Sequence, residues 1–345
     1  MKQKFRLALI VGALLGAGLT TQGVAAPEKA DTRTASKKAA PANAKSAHKS
    51  VQKTESKTAP KVAAKAKSSP KKVAVAKSGK SMAVAAVHKP ARKVSFTDVD
   101  PDRLALYSAS ALVIDQVTGQ SLLDKNSHEV VPIASISKLM TAMVVLDAKL
   151  DLNEVIAIGD EDVDGLKGTR SRLPVGTTMT RETAMLLALM SSENRAAHTL
   201  GRHYPGGMPA FVAAMNRKAQ SLGMNSSRFE EPTGLSSNNV STARDLARMV
   251  TAAARYPEIR SFSTTAEAKL ELNGRISHFG NTNALVRSDN WEIGLSKTGY
   301  ISEAGRCLVM QARVADKPVV IVLLDSVGKM TRVGDANRIK RWMES

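Results

Sequence analysis

Three polar clusters stand in order along the second half of this 345-residue chain: Ser135-Ile136-Ser137-Lys138, Ser192-Glu193-Asn194 and Lys297-Thr298-Gly299. A serine three residues before a lysine on a helix shares a face with it, so the Lys138 amine can reach the Ser135 hydroxyl. A helix N-terminus at that point favours developing negative charge. Ser192-Glu193-Asn194 interrupts a helical run between Met190 and Arg195, and such a break can aim polar side chains into a cleft. Lys297-Thr298-Gly299 ends an apolar strand over residues 291–296. Gly299 lets a ligand approach the backbone, and Lys297 and Thr298 can hold a carboxylate. The combination reads as a serine acyl-transfer site that uses lysine, not histidine, as its base.

Taken singly the clusters carry little. Ser-x-x-Lys recurs at Ser46/Lys49, Ser50/Lys53, Ser68/Lys71 and Ser69/Lys72, and Ser-x-Asn recurs within residues 236–239. Ser288-Asp289-Asn290 lies seven residues before Lys297, on the approach to the same strand. It cannot come from a separate wall of a site and reads as a polar turn. What distinguishes the chosen three is the set of elements that must position them. Residues 111–114 and 120–124 read as a strand pair with a turn between. Residues 135–146 show helical spacing, as do 182–190 with Thr180 as cap, 195–203 and 209–222. Thr242-Ala243-Arg244-Asp245 fits a capping box opening a helix through Ala253. Residues 306–314 and 318–324 read as strands joined by a tight turn at 315–317, and 335–343 as a closing helix. Strands, a helical middle, then strands and a last helix predict an α+β domain built on an antiparallel sheet flanked by helices, with a helical subdomain.

The ends are different. Residues 1–26 carry the pattern of a secretory signal: Lys2, Lys4 and Arg6, an uncharged apolar run over 7–19, then Val24-Ala25-Ala26. Residues 27–95 contain 18 basic and 3 acidic side chains and no Phe, Tyr, Trp, Leu or Ile. Such a segment buries too little apolar area to order itself and reads as a disordered basic linker. Residues 96–345, with 29 basic and 28 acidic side chains, form the globular domain, so most of the net charge of +19 belongs to the tail. No later run is long and apolar enough to span a membrane after signal cleavage. Cys307 stands alone and reads as a small buried hydrophobe.

The three clusters in this order resemble the penicillin-binding and serine β-lactamase superfamily. Residues 132–146, 186–197, 229–235, 281–285 and 295–309 are similar to the low-molecular-mass D-alanyl-D-alanine peptidases, and 191–197 to their endopeptidase branch. The resemblance covers about 105–345 and implies a penicillin-binding fold. It implies roles position by position. Ser135 is the acylated nucleophile. Lys138, held neutral by burial and by the charge of Lys297, is the base. Ser192 relays a proton to the leaving amine, and Asn194 fixes Lys138 and binds the substrate amide. Lys297, Thr298 and Gly299 receive the carboxylate next to the scissile bond, and the N–H groups of Ser135 and Tyr300 form the oxyanion hole. No metal or cofactor is implied; His198 and His203 lack the glutamate of a zinc-protease helix and read as ordinary helix residues.

The resemblance leaves the scissile bond to be chosen. A carboxypeptidase removes a terminal D-Ala; an endopeptidase cuts the D-Ala to diaminopimelate cross-link. Glu193 stands where carboxypeptidases carry a small residue, and the chain ends 46 residues after Gly299, short of the second β domain and membrane anchor typical of carboxypeptidases. Both features favour a penicillin-sensitive endopeptidase acting on peptidoglycan stem peptides, in the periplasm, in cell-wall biogenesis and shape, with β-lactams as covalent inhibitors. A carboxypeptidase is the alternative. A class A-like β-lactamase would need a glutamate such as Glu230 or Glu231 to activate water. From a different class, a non-enzymatic basic binding protein also accounts for the tail. Nucleic acid is excluded as partner by export and by the absence of aromatic residues there; anionic polymers of the cell envelope fit the tail's charge.

Overall fold

A computed structural model describes residues 104–345; the signal segment and the basic linker read from the sequence lie outside the described residues. The centre is a five-stranded antiparallel sheet in the order β2-β1-β11-β10-β9. Its strands are β1 (Ser108–Asp115), β2 (Ser121–Lys125), β9 (Glu292–Ile301), β10 (Gly305–Val314) and β11 (Lys317–Ser326). The run Val319-Val320-Ile321-Val322-Leu323-Leu324 is apolar without interruption because both faces of central β11 are covered. Val320, Val322 and Leu324 join the core shared with the helices, whereas Val319, Ile321 and Leu323 pack with Ala336, Ile339 and Met343 of α7 (Thr331–Glu344). Burying each such side chain is worth about 2 kcal/mol, which holds the sheet between two layers. Between β10 and β11, Ala315 and Asp316 both take positive φ, the two-residue turn whose twist matches the flanking strands.

The helical body contains α1 (Ser137–Asp147), α2 (Arg181–Met190), α3 (Asn194–Arg202), α4 (Gly207–Ser221), α5 (Ala243–Ala253) and α6 (Pro257–Thr264). Most of α1 is buried, as a helix apolar nearly all round must be. Thr180 and Thr242 cap α2 and α5 by accepting from the N–H of Thr183 and Asp245, which satisfies donors a helix start leaves orphaned. Short strand pairs complete the chain: β3 (Val131–Pro132) with β6 (Val240–Ser241), β4 (Val155–Ala157) with β5 (Thr178–Thr180), and β7 (Glu267–Leu272) with β8 (Arg275–Gly280).

The architecture is the expected α+β arrangement, with local differences; α6 and the short pairs β3–β6 and β4–β5 were not expected. The helix expected from Ser135 begins at Ser137; Ala134–Ile136 is a 3-10 turn, entered through Ala134 at a φ of +49°. The strand expected to stop at Ser296 runs on to Ile301, so Lys297-Thr298-Gly299 lies inside β9, its ladder with β10 continuing to Ile301 opposite Gly305. The polar lysine and threonine ended the apolar pattern without ending the strand. The β7–β8 hairpin went unread, although Asn273-Gly274 takes the paired positive φ that marks a two-residue turn.

Candidate active site

The three clusters meet where the Ala134–Ile136 turn, the α2–α3 break and edge strand β9 come together. Lys138 Nζ lies 2.8 Å from Ser135 Oγ, 2.8 Å from Asn194 Oδ1 and 2.6 Å from the carbonyl oxygen of Thr233. Lys297 Nζ donates to Ser192 Oγ at 2.9 Å and to the Thr298 carbonyl at 2.8 Å. Both lysines are buried, while Ser135, Ser192 and Asn194 keep partial exposure. The two hydroxyls are thus partly exposed, and the amines in contact with them are buried behind.

The nucleophile turn is held by glycines that admit no side chain. A Cβ on Gly234, whose φ is +81°, would overlap the Ala134 carbonyl and come within 2.7 Å of Ser135 N. A Cβ on Gly299 would sit 2.9 Å from the Ile133 carbonyl and 3.1 Å from Ser135 N, so β9 presses directly on the turn and brings Tyr300 beside it. Ser192 adopts a φ of +62° at the break between α2 and α3. Non-glycine residues in that region cost about 1–3 kcal/mol and persist only where the surroundings impose them. Arg332, from the first turn of α7, donates to the carbonyls of Gly299 and Cys307 at 2.7 and 3.0 Å and steadies β9 from behind.

Burial sets the protonation of the two amines. It brings Lys138 down to about 7, opposed by the Glu231 and Glu193 carboxylates. Lys297 is driven well below the usual ammonium range, by burial first, then by the charges of Lys138 and Arg332. The expectation named burial and the charge of Lys297 together; burial is the largest cause at both amines, and the charge of Lys138 acts on Lys297 as well. A neutral amine has two N–H donors and one lone pair. Asn194 Oδ1 and the Thr233 carbonyl can only accept, so they take both donors. The remaining lone pair faces the Ser135 hydroxyl, which is the geometry a general base needs.

Several residues that the motifs did not name complete the arrangement. Glu231 accepts from the N–H groups of Thr233 and Gly234 at 2.6 Å and from Asn239 Nδ2 at 3.2 Å. It builds the loop that offers the Thr233 carbonyl to Lys138. Glu230 is paired with Arg228 and accepts from Asn238. Both carboxylates are engaged in loop structure, which argues against a water-activating glutamate. A Glu-x-Thr-Gly turn was the available signal for Glu231. Thr282 Oγ1 lies 2.6 Å from Thr298 Oγ1, and Thr169 Oγ1 accepts from Asn194 Nδ2 at 3.0 Å; Thr282 falls within the 281–285 run that carries the resemblance, whereas nothing local in the sequence marks Thr169.

Glu193 is buried rather than facing a ligand. It accepts from Ser171 Oγ at 2.8 Å and from Arg172 Nε at 3.0 Å. Arg172 donates onward to the His278 carbonyl and lies 4.3 Å over the Phe279 ring. The middle residue of Ser192-Glu193-Asn194 therefore anchors the 163–172 segment beside the groove. A hollow of about 230 Å³ there is lined by Leu166, Asn194, Glu231 and Thr233. Larger hollows, of about 490 and 560 Å³, touch none of these residues, so size alone would misplace the site.

The other candidates have structural settings. His198 contacts Asp162 at 2.7 Å, and His203 contacts the Thr199 carbonyl at 3.0 Å within α3. Cys307 is buried, its thiol pushed up to about 11 by desolvation. Ser288, Asp289 and Asn290 form the turn before β9. Among the described residues, no helix is long and apolar enough to cross a membrane.

A serine and a lysine in contact, with a second lysine on β9 and Ser-x-Asn at the α2–α3 break, define a serine acyltransferase of the penicillin-recognising type. Residues 95–328 match the family model described as D-alanyl-D-alanine carboxypeptidase, and the chain belongs to that family. It is 51% identical over 247 residues to a D-alanyl-D-alanine endopeptidase of Pseudomonas aeruginosa, covering 71% of this chain and 80% of that protein. It is 49% identical over 240 residues to a D-alanyl-D-alanine endopeptidase of Escherichia coli, covering 69% and 77%. Among solved structures, the Streptomyces K15 DD-transpeptidase is similar at 26% identity and a TM-score of 0.65, covering 69% of this chain and 97% of that one.

Proposed function

We propose that this chain is a serine D-alanyl-D-alanine endopeptidase that cuts the D-Ala to diaminopimelate cross-link of peptidoglycan. The observation that carries the reading is the Lys138 amine, lowered to about 7 and 2.8 Å from Ser135 Oγ. Ser135 Oγ attacks the D-Ala carbonyl carbon while Lys138 takes its proton. The Ser135 and Tyr300 N–H groups receive the oxyanion, and such a donor is worth about 3 kcal/mol of barrier. The C–N bond breaks, the amine leaves with a proton delivered through Ser192, and an acyl ester remains on Ser135. Water then attacks the ester carbonyl, its proton passes by way of Lys138 to the departing Ser135 Oγ, and the carboxylate product is freed. Asn194 holds the donor amide; Lys297, Thr298 and Gly299 form the seat of the carboxylate beside the scissile bond.

The names of the two bacterial relatives and the buried Glu193 anchor support the endopeptidase over the carboxypeptidase reading, which the family description favours. Digesting purified sacculi and separating the products decides between them. Conversion of cross-linked dimers to tetrapeptide monomers is expected with the native chain and absent with Ser135→Ala. Loss of D-Ala from pentapeptides with dimers untouched would overturn the endopeptidase reading. The signal-like first 26 residues support export to the periplasm, where this substrate lies. The basic segment 27–95 supports attraction to anionic envelope polymers. Deleting it is expected to lower sacculus binding at low salt and to leave binding at high salt unchanged, measured by co-sedimentation.

A further inference from the structure

The groove has an outer ion pair that the catalytic scheme does not use. Lys167 belongs to the 163–172 segment anchored by Glu193, whose Thr169 touches Asn194. Glu303 lies in the turn after β9, three residues beyond Tyr300. Their side chains, partly exposed, meet in a salt bridge that joins the two walls. An exposed pair of this kind adds little to stability, so the fold does not explain it.

The direction of β9 says which part of a substrate would meet it. β9 is the edge of the sheet and offers a free ladder to an extended peptide. The carboxylate of the leaving side sits at Lys297 and Thr298, and the reacting carbonyl at Tyr300. The acyl-donor stem therefore leads on past Ile301 toward Glu303. Strand residues advance about 3.4 Å each, so Glu303, in the turn that follows β9, lies at most about 10 Å beyond Tyr300. The residue before the reacting D-Ala stands one step along, and a long side chain covers the remainder.

We propose that Lys167 and Glu303 form a specificity subsite for the zwitterionic end of the donor diaminopimelate side chain, Lys167 receiving its carboxylate and Glu303 its ammonium. The free end of that side chain carries both charges on one carbon, and it can replace the ion pair charge for charge. The subsite rests on the D-alanyl peptidase reading above. It applies to cross-linked and monomeric donors alike, since both present the same third residue.

The test uses cross-linked dimers whose donor third residue is diaminopimelate, lysine (no side-chain carboxylate) or diaminopimelate with its free amine acetylated. Ratios of kcat/KM between peptides cancel any loss of folded enzyme. The native chain is expected to favour diaminopimelate over each alternative by about tenfold or more. Lys167→Ala should bring the lysine ratio to within about twofold of unity, and Glu303→Gln the acetylated ratio likewise. Native ratios near unity, or ratios unmoved in both variants, would overturn the subsite. A protein that benzylpenicillin acylates but that cleaves none of the peptides would remove the peptidase reading itself, and the subsite with it.

Discussion

The base proposed for this site is an amine whose proton affinity is lowered by burial, and that has a measurable consequence. With Lys138 lowered to about 7, its neutral fraction grows as pH rises through that value. Acylation of Ser135 by benzylpenicillin should therefore increase from pH 6 to a plateau above about pH 8. Glu231 and Glu193 oppose the lowering, so Glu193→Gln should move the midpoint to lower pH. Stopped-flow acylation across pH checks both, and an unmoved midpoint would detach Glu193 from the base. Gly234 gives a steric test at the same scale. Gly234→Ala places a methyl group against the Ala134–Ser135 peptide. It should cost at least about 2 kcal/mol of stability, read by denaturant unfolding, and should slow acylation as the nucleophile turn shifts.

Two elements carry the opposing walls, and each is held by contacts remote in sequence. Arg172 combines an ion pair with Glu193, a bond to the β8 carbonyl of His278 and a stack on Phe279. Lysine can reproduce only part of this, because its ammonium is neither planar nor forked. Arg172→Lys should thus release the 163–172 segment almost as fully as Arg172→Ala, at roughly 1 kcal/mol of local stability. Limited proteolysis within that segment is expected to accelerate several-fold in both variants. The edge strand was legible as a strand but not in length. Its polar residues broke the periodicity that defines a strand in sequence, whereas its hydrogen-bond ladder with β10 does not depend on side-chain polarity.

At the scale of the molecule, the globular domain is separable in composition from the basic amino-terminal segment. The family match begins at residue 95, the last residue of that segment. Acylation by benzylpenicillin is therefore expected to be unchanged, within about twofold, when residues 27–95 are deleted. A large fall would give the segment a part in the site. Charge separates the two regions as well, since the tail holds nearly all the excess positive charge.

The sequence by itself determined the kind of domain, the order of its main elements and the polar clusters that meet. Those depend on residue type and short spacing: a threonine before a helix, alternation along a strand, a serine and lysine three apart. Only the tertiary structure decided that Ser135 sits in a strained turn, not a helix. The same holds for the Thr233 carbonyl accepting a hydrogen bond from Lys138, for Glu193 facing a loop, and for Lys167 reaching Glu303. Each of those is a contact between residues 22 to 136 positions apart or a backbone conformation imposed by a neighbour's lack of Cβ. Local pattern cannot encode such contacts, because they exist only once the sheet and the helical body have packed and excluded water from the lysines.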